Sequence, residues 1–277
     1  MRRAVVVWAA AYGALRIWYA TSHAPAWKLP GDDLLIPGWV AVAGCVVTAL
    51  AVIRIRPRLL WVLAAGWLAA AAFILLDGVA AVLPGLGIPF DVLGMLSRLG
   101  AVSGAVLLGL LARSHQPAAT PWPPWISTVG ACLATAGCLT RLGAQAVVGF
   151  EKTPYGNSLS LLLFEGGFVL AGTLLPFLLV HRLGRWFPRW LLLLPGYAIG
   201  CGITAYFGVG LIQMIANAVQ GQPVFGDVAL GLPDSFFWVA VPAYLVWGVG
   251  LTVAARGYQL ATRKANDSVC DLQITQR

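Results

Sequence analysis

Apolar residues in this chain do not alternate with polar ones. They run on for about 20 residues at a time, break at a short polar connection, and resume. Eight such stretches stand out, at roughly 4–22, 37–53, 59–83, 92–112, 125–148, 159–180, 190–218 and 236–255. Runs of that length predict transmembrane helices, because about 20 residues at 1.5 Å rise each cross the hydrocarbon core of a bilayer. Turn formers punctuate the connections: Pro30-Gly31, Pro57, Pro84-Gly85, Pro121 with Pro123-Pro124, Pro154 with Gly156, Pro188 and Pro223. The pattern predicts an all-α polytopic bundle of about eight spans over 1–255. A polar cytoplasmic tail over 256–277 is predicted to be disordered.

Composition sharpens this. The chain of 277 residues is 60% hydrophobic and 10% charged, whereas a soluble domain averages roughly 25% charged and needs that share to cover its surface. Net charge is +8. The basic residues are spread among short connections instead of lying on one face, which predicts a topology signal and excludes nucleic acid as a partner.

The spacing of spans sorts these residues by side. Arg2, Arg3, Arg54, Arg56, Arg58, Arg113, Arg182, Arg185, Arg189, Arg256, Arg263, Lys264 and Arg277 fall on one side; Lys28 and Lys152 fall on the other. Asp32, Asp33, Asp91, Glu151, Asp227 and Asp234 join the second group. The positive-inside rule then predicts a bacterial inner-membrane protein with both termini cytoplasmic and an even number of spans. The apolar start at 4–22 is read as a retained span, since Arg16 interrupts it and Pro25 follows Ala24. A weak internal likeness suggests a parallel repeat of two four-span halves, 1–113 and 125–256. Arg54–Arg58 leads into LLWVLAAGW as Arg182–Arg189 leads into WLLLLPGY, and LLGLLAR at Arg113 resembles VGLTVAAR at Arg256.

Three of the 18 Lys and Arg remain inside spans, at Arg16, Arg98 and Arg141, together with Asp77 and Glu165. Each such charge near a helix centre costs roughly 2.5–3.5 kcal/mol. All five fall in the outer half of their spans. Asp77 and Arg98 lie at matching depth on consecutive antiparallel helices, as do Arg141 and Glu165, which predicts two ion pairs. Gln145, one turn from Arg141, adds a donor and an acceptor. Arg16 has no such neighbour. Tyr12 and Tyr19 share its helix face, and Asp32, Asp33 or Asp91 would reach it from outer connections. Otherwise its partner is an anionic ligand or lipid head group, which a cluster of three arginines and two acids would suit. Gln213 and Asn217 extend a polar stripe in the seventh span. A structural cluster, a ligand site, and arginines that merely snorkel to the interface all fit this pattern.

Other chemistry is thin. Cys45, Cys132, Cys138 and Cys201 fall in spans and Cys270 in the tail, with no CxxC, so they read as core residues. No span carries a central histidine, and no Walker, HExxH or GxSxG motif occurs, so neither a metal nor a cofactor is expected. The GxxxG pairs Gly100/Gly104 and Gly196/Gly200 predict close helix packing.

Tyr12-Gly13-Ala14-Leu15-Arg16, followed by Trp18 and Ala20, resembles the first span of small actinobacterial multi-pass inner-membrane proteins of unknown function. The resemblance covers about twenty residues and implies no activity. Three functions stay open: binding or transport of a small polar or anionic solute or lipid head group; an intramembrane enzyme acting on a lipid or isoprenoid, with Asp77 or Glu165 as acid; and a non-catalytic subunit that joins a membrane-protein partner or a second copy of the chain.

Overall fold

The computed structural model describes residues 1–28, 33–54, 56–116, 122–150, 159–224 and 232–275; the side chains of Ser22 and of 263–275 lie outside this description. Every regular element among the described residues is helical: α1 (Arg2–Trp18), α2 (Gly38–Arg54), α3 (Pro57–Ala70), α4 (Ile74–Val82), α5 (Val92–Ser114), α6 (Pro124–Val148), α7 (Leu159–Gly172), α8 (Leu174–Val180), α9 (Arg189–Val219) and α10 (Asp234–Thr275). Six segments are long and apolar enough to cross a membrane: Arg2–Thr21, Val92–Ser114, Pro124–Val148, Leu159–Val180, Arg189–Val219 and Asp234–Thr262. A seventh is made by α3 and α4 if the pair, bent by 48°, is one span. Helix α2, with 17 residues, is shorter. Large apolar side chains such as Val7, Trp39, Ile53, Val82, Val147 and Ile212 point outward, an exposed apolar surface that water would not tolerate and lipid would.

The end of the chain differs from expectation. Helix α10 does not stop at 255 but continues to Thr275, because nothing in 256–275 breaks it: the segment holds no proline, and its one glycine, Gly257, sits against Ser127 of α6.

The chain divides into two compact units, Met1–Ala119 and Thr120–Arg277. In the first, α1 packs on α2 and α5, and α3 packs on α5. The GxxxG of α5 provides the seat for α1: a side-chain carbon at Gly104 would lie 2.0 Å from the Trp8 ring, and one at Gly100 would lie 2.6 Å from the Tyr12 ring. Trp8 Nε1 donates to the Gly100 carbonyl at 2.8 Å, so aromatic size and helix register are fixed together. The core behind this contact holds Val5, Cys45, Leu60, Trp67, Leu108 and Leu111.

In the second unit α10 runs between α6 and α9. Here backbones nearly touch. A carbon at Gly137 of α6 would meet the Ala243 carbonyl at 2.5 Å and the Trp247 nitrogen at 2.7 Å. Backbone cannot move aside as a side-chain tip can, so Gly137→Ala should cost about 1–3 kcal/mol or more. Thermal unfolding of the purified variant would show a lowered midpoint, and an unchanged midpoint would refute the packing.

Two ion-pair networks, one closed and one open to a groove

The first network is built where α3 breaks. Residues 69–73 read Ala-Ala-Ala-Ala-Phe, strong helix formers without glycine or proline. Yet α3 ends at Ala70 and α4 begins at Ile74. The cause is tertiary. The segment 33–36, expected as part of an outer connection, enters the unit: Leu34 is buried, and the Leu35 amide donates to the Ala70 carbonyl at 2.9 Å. The buried methyl groups of Ala70, Ala71 and Ala72 are small enough to admit it.

That insertion brings Asp33 to Arg16. The Asp33 carboxylate accepts from Arg16 Nη1 and from Ser97 Oγ, and Arg16 Nη1 also reaches Ser97 Oγ at 3.3 Å. Of the partners expected for Arg16, Asp33 is the one found; Asp32 lies outside the described residues, and Asp91 instead caps α5, accepting from the Gly94 amide at 3.0 Å and the Lys28 amide at 3.1 Å. Tyr19 lies under the Arg16 guanidinium, 5.6 Å to the ring centre. Tyr12 turns to α5 and donates to the Ser97 carbonyl at 2.9 Å.

Arg98 makes the second half of this network. Its Nη1 donates to both Asp77 oxygens, at 2.9 and 2.7 Å. Its Nε donates to the Asp33 carbonyl at 2.6 Å, and Phe73 lies 5.8 Å below the guanidinium. Asp77 and Arg98 are both 0% exposed, Arg16 and Asp33 both 2%. Two arginines thus meet two carboxylates in a sealed site, which is net neutral and not the positive cluster expected. Sequence reading overlooked Ser97, whose signal was its place beside Arg98 on the buried face of α5.

The second network lies wholly in the second unit. Arg141 Nη2 donates to Glu165 Oε1 at 2.7 Å and Nη1 to Oε2, a bidentate fork that fixes both groups. Tyr244 of α10 lies 5.7 Å under the guanidinium. It is part of an aromatic stack that includes Phe168, Phe207 and Trp247. Gln145 does not join the pair: its amide donates to the Gly149 carbonyl at 3.0 Å and closes the end of α6. Gln213 is exposed on α9, and Asn217 donates to the Val224 carbonyl at 3.1 Å. Neither is bonded to Arg141: Gln213 faces outward, and Asn217 serves the turn beyond α9.

The two networks differ in access. The Arg141 and Glu165 side chains are 8% and 19% exposed. Glu165 lines a groove of about 620 Å³ with Leu142, Phe150, Leu159, Leu162 and Val169. Among the described lining residues it is the one that carries a charge. Among the described residues no cluster of His, Cys, Asp or Glu could hold a metal ion, and Cys45, Cys132, Cys138 and Cys201 are free thiols.

No protein-family model matches the sequence, and comparison with curated proteins and with solved structures finds no match.

Proposed function

We propose that this membrane protein binds a polar-headed amphiphile, as cargo or as a retained lipid, with the head group on the Arg141–Glu165 pair and the apolar chain in the adjoining groove. The apolar groove walled by Glu165, whose carboxylate holds Arg141, carries the reading. Arg141 offers a planar donor fork to a phosphate or carboxylate, and Glu165 offers an acceptor to a hydroxyl or ammonium. A head group with both kinds of partner replaces each half of the pair without leaving a charge bare, which is the condition for binding in a dry site. Arg141 Nε, buried and without a partner, adds a further donor. The first unit supports a structural role instead, since its carboxylates and guanidinium groups already meet one another out of reach of a ligand.

We further propose eight spans in two four-span halves within a bacterial inner membrane, both termini cytoplasmic. In support, the units divide at 119/120, between the halves expected. The first helix of each unit carries an arginine bonded to an acid from the segment that follows, Asp33 or Glu165.

The ligand reading is tested by thermal unfolding in a neutral detergent with added single-chain phosphoethanolamine amphiphile. Wild type is expected to gain stability with ligand concentration, by mass action, and Arg141→Gln to gain none. Equal stabilisation of both would refute the site.

A further inference from the structure

A different arrangement occupies the other end of the second unit, where α9 begins and α10 carries Arg256. Tyr258 donates to the Gly184 carbonyl at 3.0 Å and holds the short turn Arg182–Trp186 against α10. Just beyond that turn, Arg189 Nη2 reaches the Gln259 carbonyl at 3.5 Å, while Arg256 Nη1 donates to Gln259 Oε1 at 2.8 Å. Tyr197 donates to the same oxygen at 2.9 Å. Two guanidinium groups therefore converge on one neutral residue. This is unlike Arg16, Arg98 and Arg141, each of which has a carboxylate. Arg189 Nε is buried and has no partner.

No acid is near. Among residues of this unit with described side chains, the carboxylates are Glu165, held by Arg141, and Asp234, about 33 Å from Arg256 along α10. The surroundings state the depth. Trp186 is 86% and Trp190 66% exposed, and exposed tryptophans at a span end settle at the head-group layer. Arg182 and Arg185 add exposed positive charge on the turn.

We propose that Arg189 and Arg256, bridged by Gln259 and Tyr197, bind the phosphate of an anionic phospholipid at the level of Trp186 and Trp190. Guanidinium forks match phosphate oxygens in pairs. A lipid phosphate supplies the missing negative charge from the layer where the tryptophans place this end, and anionic lipid is drawn to basic span ends.

The test is native mass spectrometry of the full chain from nanodiscs of equal phosphatidylglycerol and phosphatidylcholine. Wild type is expected to retain phosphatidylglycerol preferentially. The Arg189→Gln/Arg256→Gln variant is expected to lose that retention by about tenfold or more, the equivalent of at least one charge-assisted hydrogen bond. If the double variant does not purify, each single change carries the same readout with a smaller loss. Arg58→Gln, at an exposed arginine outside both sites, should leave phosphatidylglycerol retention unchanged, which separates this site from basic charge in general. Retention that survives both substitutions overturns the proposal, and so does displacement of the lipid by inorganic phosphate, which would mark a site for a soluble anion.

Discussion

Replacing Asp77 with Asn is expected to destabilise the first unit by about 3–5 kcal/mol, the usual result of leaving one member of a buried pair without its partner. Arg98 makes the loss hard to relieve. It is completely buried, its Nη1 has both Asp77 oxygens, and its Nε is committed to the Asp33 carbonyl. No rotation brings it to water without breaking the contact that holds the segment 33–36. The partner experiment separates pairing from packing. Changing both residues to apolar ones of similar size, Asp77→Leu with Arg98→Met, should recover much of the loss, because apolar replacement of a buried pair is often neutral. Recovery will be incomplete, since the Asp33 carbonyl still loses its donor. Chemical unfolding in micelles measures both variants beside wild type, and a single Asp77→Asn as stable as wild type would refute the pairing.

Asp33→Ala should cost a similar 3–5 kcal/mol, but through a different element. Asp33 neutralises Arg16 with its carboxylate, holds Ser97 Oγ, and anchors Arg98 with its main chain. Removing the carboxylate strands Arg16 at a 2% exposed position. The segment 33–36 then keeps only its backbone contacts, among them the Leu35–Ala70 hydrogen bond that closes the break between α3 and α4. Hydrogen exchange at the Leu35 amide should therefore quicken by more than the global loss of stability accounts for, a local opening. If Leu35 exchange quickens no more than that of amides of α5, the segment is not latched by Asp33.

Most of the fold was legible because lipid simplifies the problem: a span must satisfy its own backbone, so length and hydropathy suffice to find it. The pairs Asp77–Arg98 and Arg141–Glu165 followed from depth on neighbouring antiparallel helices, and the structure makes both. The partner of Arg16 stayed open among three acids, two tyrosines and an anionic ligand, because the choice depends on a non-helical segment entering the unit. Nothing in Ala69–Phe73 announces a break, since local propensity there favours helix and a tertiary hydrogen bond overrides it. Non-helical backbone at this depth is tolerable because it is buried in protein. Gln145 was assigned to the charged cluster, and Gln213 and Asn217 to a supporting polar stripe, by helix position alone, whereas Gln145 and Asn217 meet nearer demands at helix ends and Gln213 faces outward. Likewise the difference between a sealed and an open ion pair rests on packing by residues far apart in sequence, which spacing does not encode.

The most direct test of the account is native mass spectrometry of the gently purified protein beside Arg141→Gln and Arg16→Ala. In an Arg189→Gln/Arg256→Gln background, which removes the lipid held there, the account predicts an amphiphile adduct that persists with Arg16→Ala at temperatures where it stays folded and is lost with Arg141→Gln. An adduct lost with Arg16 and kept without Arg141 would contradict it, because the ligand would then belong to the network that the structure shows closed.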